Sequence, residues 1–225
     1  MRALIPPYES RSAISSLSWK AGGENPSLLR HWEDQQDLTL DAQAFSHLER
    51  ECFIKQLAGL GDRTDRSELQ EAIVRSVYWF ADAYKDRNPT MQFVKLWSCA
   101  ESFFAIEKEK EKEGVTELNT SGIAVVLTFA GFRVAEVDDY GKLKKRFKHF
   151  YGMRSQAIHR ASLDHIETSD LNDFSHWIAL MILSMVALSE RGYKTLHQVR
   201  RGVSRLDRLS KARRESPPTT GSNSR

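Results

Sequence analysis

This chain of 225 residues has only two cysteines, Cys52 and Cys99. Two thiols make no disulfide framework, and no Cys/His cluster has zinc-ligand spacing, so a cysteine-stapled scaffold and a zinc module are both excluded. Long apolar runs are missing too. The longest, Trp177 to Leu188, falls short of the roughly 20 residues a spanning helix needs and reads as a buried helix. The start of the chain turns to Pro6-Pro7 before an apolar signal run develops, so the expected protein is cytoplasmic, with no membrane association. No sign of charge predominates: Lys+Arg number 33 against Asp+Glu 30. Net charge therefore predicts no nucleic-acid partner, and only the distribution of charge can argue for one. No segment alternates at the period of a strand, and no repeat recurs at a fixed spacing.

What remains is helical periodicity. Residues 1–37 hold Pro6, Pro7, Gly22, Gly23 and Pro26 without a sustained pattern, and form an irregular lead-in. From Leu38 to Leu57 apolar residues recur near helical spacing until Gly59 and Gly61 end the run. Asp65 or Ser67 can cap the next helix, with Leu69, Ile73, Val77, Phe80 and Tyr84 on one stripe. Asn88-Pro89 stops and restarts the pattern, and Phe93, Leu96, Trp97, Ala100, Phe103 and Phe104 follow. The alternating run Glu107 to Glu113 reads as a solvated helix end or loop. Apolar stretches at 118–129, 138–160 and 168–191 come next, then a weaker, basic helical stretch at 196–209. Residues 210–225 have a disordered composition. The expected fold is all-α: a bundle of five to six helices over 38–209.

Chemistry concentrates in the helix around 138–160. Leu143, Phe147, Phe150, Tyr151 and Ile158 share a stripe, and Arg154 falls on it. An arginine on an apolar face is either paired or lines a cleft. The structural reading is an ion pair, with Glu101 as the partner. The other reading is functional: His159 follows Arg154 by five residues, so a phosphate-gripping guanidinium stands near an imidazole that titrates near neutrality. Lys142, Lys144, Lys145, Arg146, Lys148, Arg154 and Arg160 lie between 142 and 160 with no carboxylate among them, an electrostatic footprint suited to a phosphate backbone. Lys144, Lys145, Lys148 and Arg160 are the candidate RNA contacts. The alternative for this block is an ordinary solvated face.

Five residues of continuous helix turn a side chain by roughly 140° and advance it about 7.5 Å. Arg154 and His159 then converge on one phosphate only if the helix breaks near Ile158, or if two copies of the motif face each other in a homodimer. The dimer is the favoured solution. In such a composite site His159 moves the proton of a ribose 2′-hydroxyl or of the leaving 5′-oxygen. Arg154 holds the scissile phosphate, and Ser155 adds a hydrogen bond. No metal and no cofactor is called for.

The segments Phe93-Val94-Lys95-Leu96-Trp97-Ser98-Cys99-Ala100-Glu101-Ser102 and Phe147 to His159, with its Tyr-x-x-Arg-Ser-x-x-Ile-His context, resemble the HEPN superfamily and specifically its Apea-like branch. The resemblance covers roughly residues 75–191. It implies an all-α bundle that dimerises and sets Arg/His motifs at the dimer cleft. It also implies metal-independent endoribonuclease activity in phage defence, toxin–antitoxin pairs or RNA processing, and an antitoxin or sensor partner. By that resemblance Arg154 and His159 match the motif positions, and Glu101 matches a polar position on the packing helix. Ser155 stands where the best-known nuclease version often has Asn, Asp or His. Some superfamily members only bind, so an inactive RNA- or nucleotide-binding module, or a protein-interaction bundle, is the alternative.

Overall fold

A computed structural model describes residues 42–105, 112–160 and 166–215, with side chains described over 45–105, 117–158 and 166–213. The lead-in at 1–37, most of the charge run at 107–113 and the tail from residue 216 lie outside the described residues. The described chain is all α-helical, with one short 3₁₀ turn and no strand. It divides into two units, Met1–Cys52 and Phe53–Arg225. The first contributes one described helix, α1 (Ala42–Glu51).

The second unit holds seven described α-helices: α2 (Ile54–Gly61), α3 (Glu68–Lys85), α4 (Pro89–Phe104), α5 (Lys112–Phe129), α6 (Tyr140–Arg160), α7 (Thr168–Glu190) and α8 (Leu196–Glu215). One of the helices beyond the expected five or six has a local cause. The single pattern expected from Leu38 to Leu57 is two helices, because Phe53 adopts a left-handed φ of 56°. That conformation is uncommon for a side chain with a Cβ. The Phe53 ring packs edge-on against Phe132, with centroids 6.4 Å apart.

Local chemistry sets the helix ends. Ser67 begins α3 with a capping box: its hydroxyl accepts from Gln70 N–H, and the Gln70 side chain accepts from the Ser67 N–H, satisfying two donors that a helix start leaves open. Asn88 caps α4 by accepting from the N–H groups of Thr90 and Met91, with Pro89 in the first turn. The turn from α7 to α8 passes through Gly192 at φ 90°, a region where glycine has no steric cost. At the far end of α4, Arg200 of α8 donates from Nε to the Phe103 carbonyl at 3.0 Å and from Nη2 to the Ala105 carbonyl. Both carbonyls would otherwise end the helix unpaired.

The core of this unit surrounds α4, which packs against α3, α5, α6, α7 and α8. Phe93, Trp97, Phe103 and Phe104 of α4 are fully buried, as are Phe147 and Phe150 of α6 and Phe174 of α7. Ring centroids lie 4.9 Å apart for Phe93 and Phe174, 5.1 Å for Trp97 and Phe174, and 5.3 Å for Phe150 and Phe174. Burying each such side chain contributes roughly 1.5–3 kcal/mol. Among the described residues α7 alone is long and apolar enough to cross a membrane. Its Phe174, Ile178, Met181, Ile182 and Met185 are buried in this core.

α8 runs to Glu215, beyond the boundary at 209 that composition suggests. Ser210 is buried, and Lys211 pairs with Asp207 at 3.0 Å and Glu117 at 3.5 Å, so tertiary contacts hold the added turn.

Candidate functional site

α6 buries Leu143, Phe147 and Phe150 against the core, and the next turns of the same stripe bring Tyr151 and Arg154 to the edge of α4. There Arg154 Nη2 lies 2.8 Å from Glu101 Oε1, with side chains 21% and 24% exposed. The ion pair that an arginine on an apolar stripe calls for is therefore present. The Arg154 guanidinium also lies 5.9 Å from the centre of the Tyr151 ring, and Trp97 meets the same ring edge-on at 5.5 Å. Two donors in this group, Arg154 Nε and Trp97 Nε1, are buried without a hydrogen-bond partner among the described residues.

Burial pushes the Glu101 carboxyl above its ordinary range, and the charge and hydrogen bond of Arg154 only partly oppose this. The arrangement is a guanidinium tied at one nitrogen, with a carboxylate beside it whose proton affinity is raised. Such a pair can hold an anion and accept a proton.

Ser155 is half-buried next to Arg154. The backbone of His159 and Arg160 belongs to α6, and their side chains lie outside the described ones. α6 continues without interruption through Ile158 to Arg160, so the helix break that would bring Arg154 and His159 together in one copy is absent. On this helix the two positions face directions roughly 140° apart.

The basic block of α6 is largely neutralised by carboxylates from other helices. Lys144 is not an exposed phosphate contact. It is 8% exposed, and its ammonium lies 2.6 Å from Glu117 of α5 and 2.7 Å from Asp207 of α8. Lys148 pairs with Glu117 at 3.0 Å. Arg146 reaches Asp170 and Asp173 of α7 at 3.1 and 2.8 Å and lies over the Trp177 ring. Lys145 is exposed, and no carboxylate among the described residues pairs with it.

Tyr140 completes the group around Asp207, donating its hydroxyl at 2.5 Å. Burial pushes the Glu117 and Asp207 carboxyls up. The hydrogen bonds from Lys144 and Lys148 to Glu117, and from Lys144, Tyr140 and Lys211 to Asp207, outweigh it and hold each at about 2. Burial and then Asp207 push the Tyr140 phenol well above its usual value. The network fastens α8 to α5 and α6. No signal in the sequence picks out Glu117 and Asp207 as its carboxylates, which stand 27 and 63 residues from Lys144.

No group of three metal-ligating side chains occurs among the described residues. No family model matches the chain, and no curated protein or solved structure matches it significantly.

Proposed function

We propose that this protein is an endoribonuclease of the HEPN type, cleaving RNA by metal-independent 2′-hydroxyl transesterification in phage defence or a toxin–antitoxin or stress response. The observation that carries the proposal is Arg154. Glu101 holds one terminal nitrogen of its guanidinium at 2.8 Å, and the Arg154 side chain is 21% exposed at the edge of α6. The exposed part of a guanidinium fork fixed in this way can donate to an anionic oxygen brought to this edge. Because α6 is continuous, Arg154 and His159 meet at one phosphate through two copies of the chain. The reading is therefore of a cytoplasmic homodimer with a composite site, restrained or triggered by an antitoxin or sensor partner. Arg154 stabilises the extra charge of the transition state, His159 transfers the proton, and Glu101 and Ser155 hold the guanidinium and the phosphate in register.

One observation favours a second reading. Arg154 already has a carboxylate at 2.8 Å, which suits a bundle that binds RNA, a nucleotide or a protein and cleaves nothing. The deciding experiment incubates mixed tRNA and single-stranded RNA with the protein in excess EDTA, beside His159→Ala. Products ending in 2′,3′-cyclic phosphate, absent with the variant, support the nuclease. A folded, dimeric wild type that leaves the RNA intact overturns it.

A further inference from the structure

The basic helix α8 has a surface that the site above does not use. It carries seven Arg and Lys against two carboxylates, Asp207 and Glu215. Its buried stripe is Leu196, Val199, Val203, Asp207 and Ser210. Arg201, Arg205 and Arg208, spaced four and three apart, fall on the opposite side of the helix, and all three are exposed. They span roughly 10 Å along the axis. Flanking them on the outward face are His197, Ser204 and Ala212, none of them acidic.

Three other cations of α8 are engaged, and the side chain of Arg214 lies outside the described ones. Arg200 caps α4, Lys211 joins Asp207 and Glu117, and Arg213 lies 3.5 Å from Asp138. No carboxylate among the described residues pairs with Arg201, Arg205 or Arg208. This is the reverse of α6, where Lys144, Arg146 and Lys148 are neutralised. A solvated helix face is normally laced with both signs, and i,i+4 ion pairs support it. Here three guanidiniums stand in a row with no carboxylate paired to them among the described residues, fastened to the bundle by the Lys144 network beneath.

We propose that the outward face of α8 is the RNA-backbone docking surface of this protein, with Arg201, Arg205 and Arg208 as its phosphate contacts. Planar guanidiniums suit bidentate contact with phosphate oxygens, and an unreciprocated row of one sign complements a polyanion without reading its bases. The choice of RNA as that polyanion rests on the ribonuclease reading; the charge geometry does not.

The test is binding of a fluorescein-labelled single-stranded RNA across a salt series, read by anisotropy, with every protein in a His159→Ala background. The test variant is Arg201→Gln/Arg205→Gln/Arg208→Gln, which keeps good helix formers on an exposed face. A charge-matched control, Arg75→Gln/Lys85→Gln/Arg87→Gln, removes three exposed cations near α3. The α8 variant is expected to bind tenfold or more weakly. Its slope of log affinity against log salt is expected to fall by about 2, near 0.7 for each phosphate no longer neutralised. The control is expected to stay within about twofold of the parent, since charges far from the bound strand are screened.

Equal affinities for parent and α8 variant overturn the proposal. So does binding of phosphatidylserine vesicles with no binding of RNA, which assigns the face to a membrane surface. The cleavage assay separates the two readings. RNA binding lost from the α8 variant, with no cleavage by wild type, sinks the nuclease and leaves this surface standing. EDTA-resistant cleavage by wild type with unchanged binding by the variant does the reverse.

Discussion

Arg154 of α6 and Glu101 of α4 are joined at 2.8 Å across the helix–helix contact, each about one-fifth to one-quarter exposed. The pair lies between the surface and buried regimes. Replacing Arg154 by Ala is expected to cost about 1–2 kcal/mol, above an exposed pair and below a buried one. Urea denaturation at pH 7 measures this. A double-mutant cycle with Glu101→Gln should show positive coupling, and strict additivity would mean that the contact does not form in solution.

The same pair predicts a pH effect. Burial raises the folded-state affinity of Glu101 for a proton more than Arg154 lowers it. The folded chain then binds more protons than the unfolded chain, so stability from this group is complete below the unfolded pKa and is lost as pH rises through the folded one. Glu101→Gln is accordingly expected to gain stability relative to wild type between pH 4 and 7. The opposite trend would show that Arg154 dominates the site.

Lys144 predicts an acid response of opposite sign. Glu117 and Asp207 are held at about 2 in the folded protein, below their unfolded values. Their contribution is complete above about pH 5 and is lost as pH falls toward 2. Circular dichroism melts should fall steeply across that window in wild type. Lys144→Met removes the shared ammonium, costs about 3 kcal/mol at pH 7 and should flatten the acid dependence.

Gly122 of α5 lies under Phe104. A Cβ added there would come within 2.7 Å of three ring carbons, and the Phe104 side chain is fully buried. Gly122→Ala is expected to destabilise by about 1–3 kcal/mol, although alanine is the better helix former. Partial rescue by Phe104→Leu would identify the clash as the cause. A neutral or stabilising Gly122→Ala would refute the close approach.

Ser67→Ala removes one half of the capping box at the start of α3 and should cost about 1 kcal/mol. The midpoint of thermal unfolding reports it, and Ser67→Asp should restore most of the loss. A melt for Ser67→Ala that overlays wild type would show that the cap contributes nothing.

Much of this protein is determined by sequence alone, because helix formation depends on neighbours a few residues away. The stripe Leu69, Ile73, Phe80 and the caps Ser67 and Asn88 are local signals, and the helices begin where those signals stand. Arg154 on the apolar stripe of α6 also announces a partner, since a charge cannot enter such a face alone. Glu101 is legible as that partner because it sits at the edge of the α4 stripe. Local signals do not reveal which lysines are free. Lys144, Lys145 and Lys148 look alike in sequence, and only helix packing brings Glu117 and Asp207 to two of them. The break at Phe53 is hidden in the sequence because apolar spacing continues across it. Periodicity and caps are properties of one segment, so sequence determines the helices. Ion pairs, Cβ clashes and exposed faces depend on which segments meet, and the tertiary structure alone decided which charges on α6 and α8 remain available to a partner.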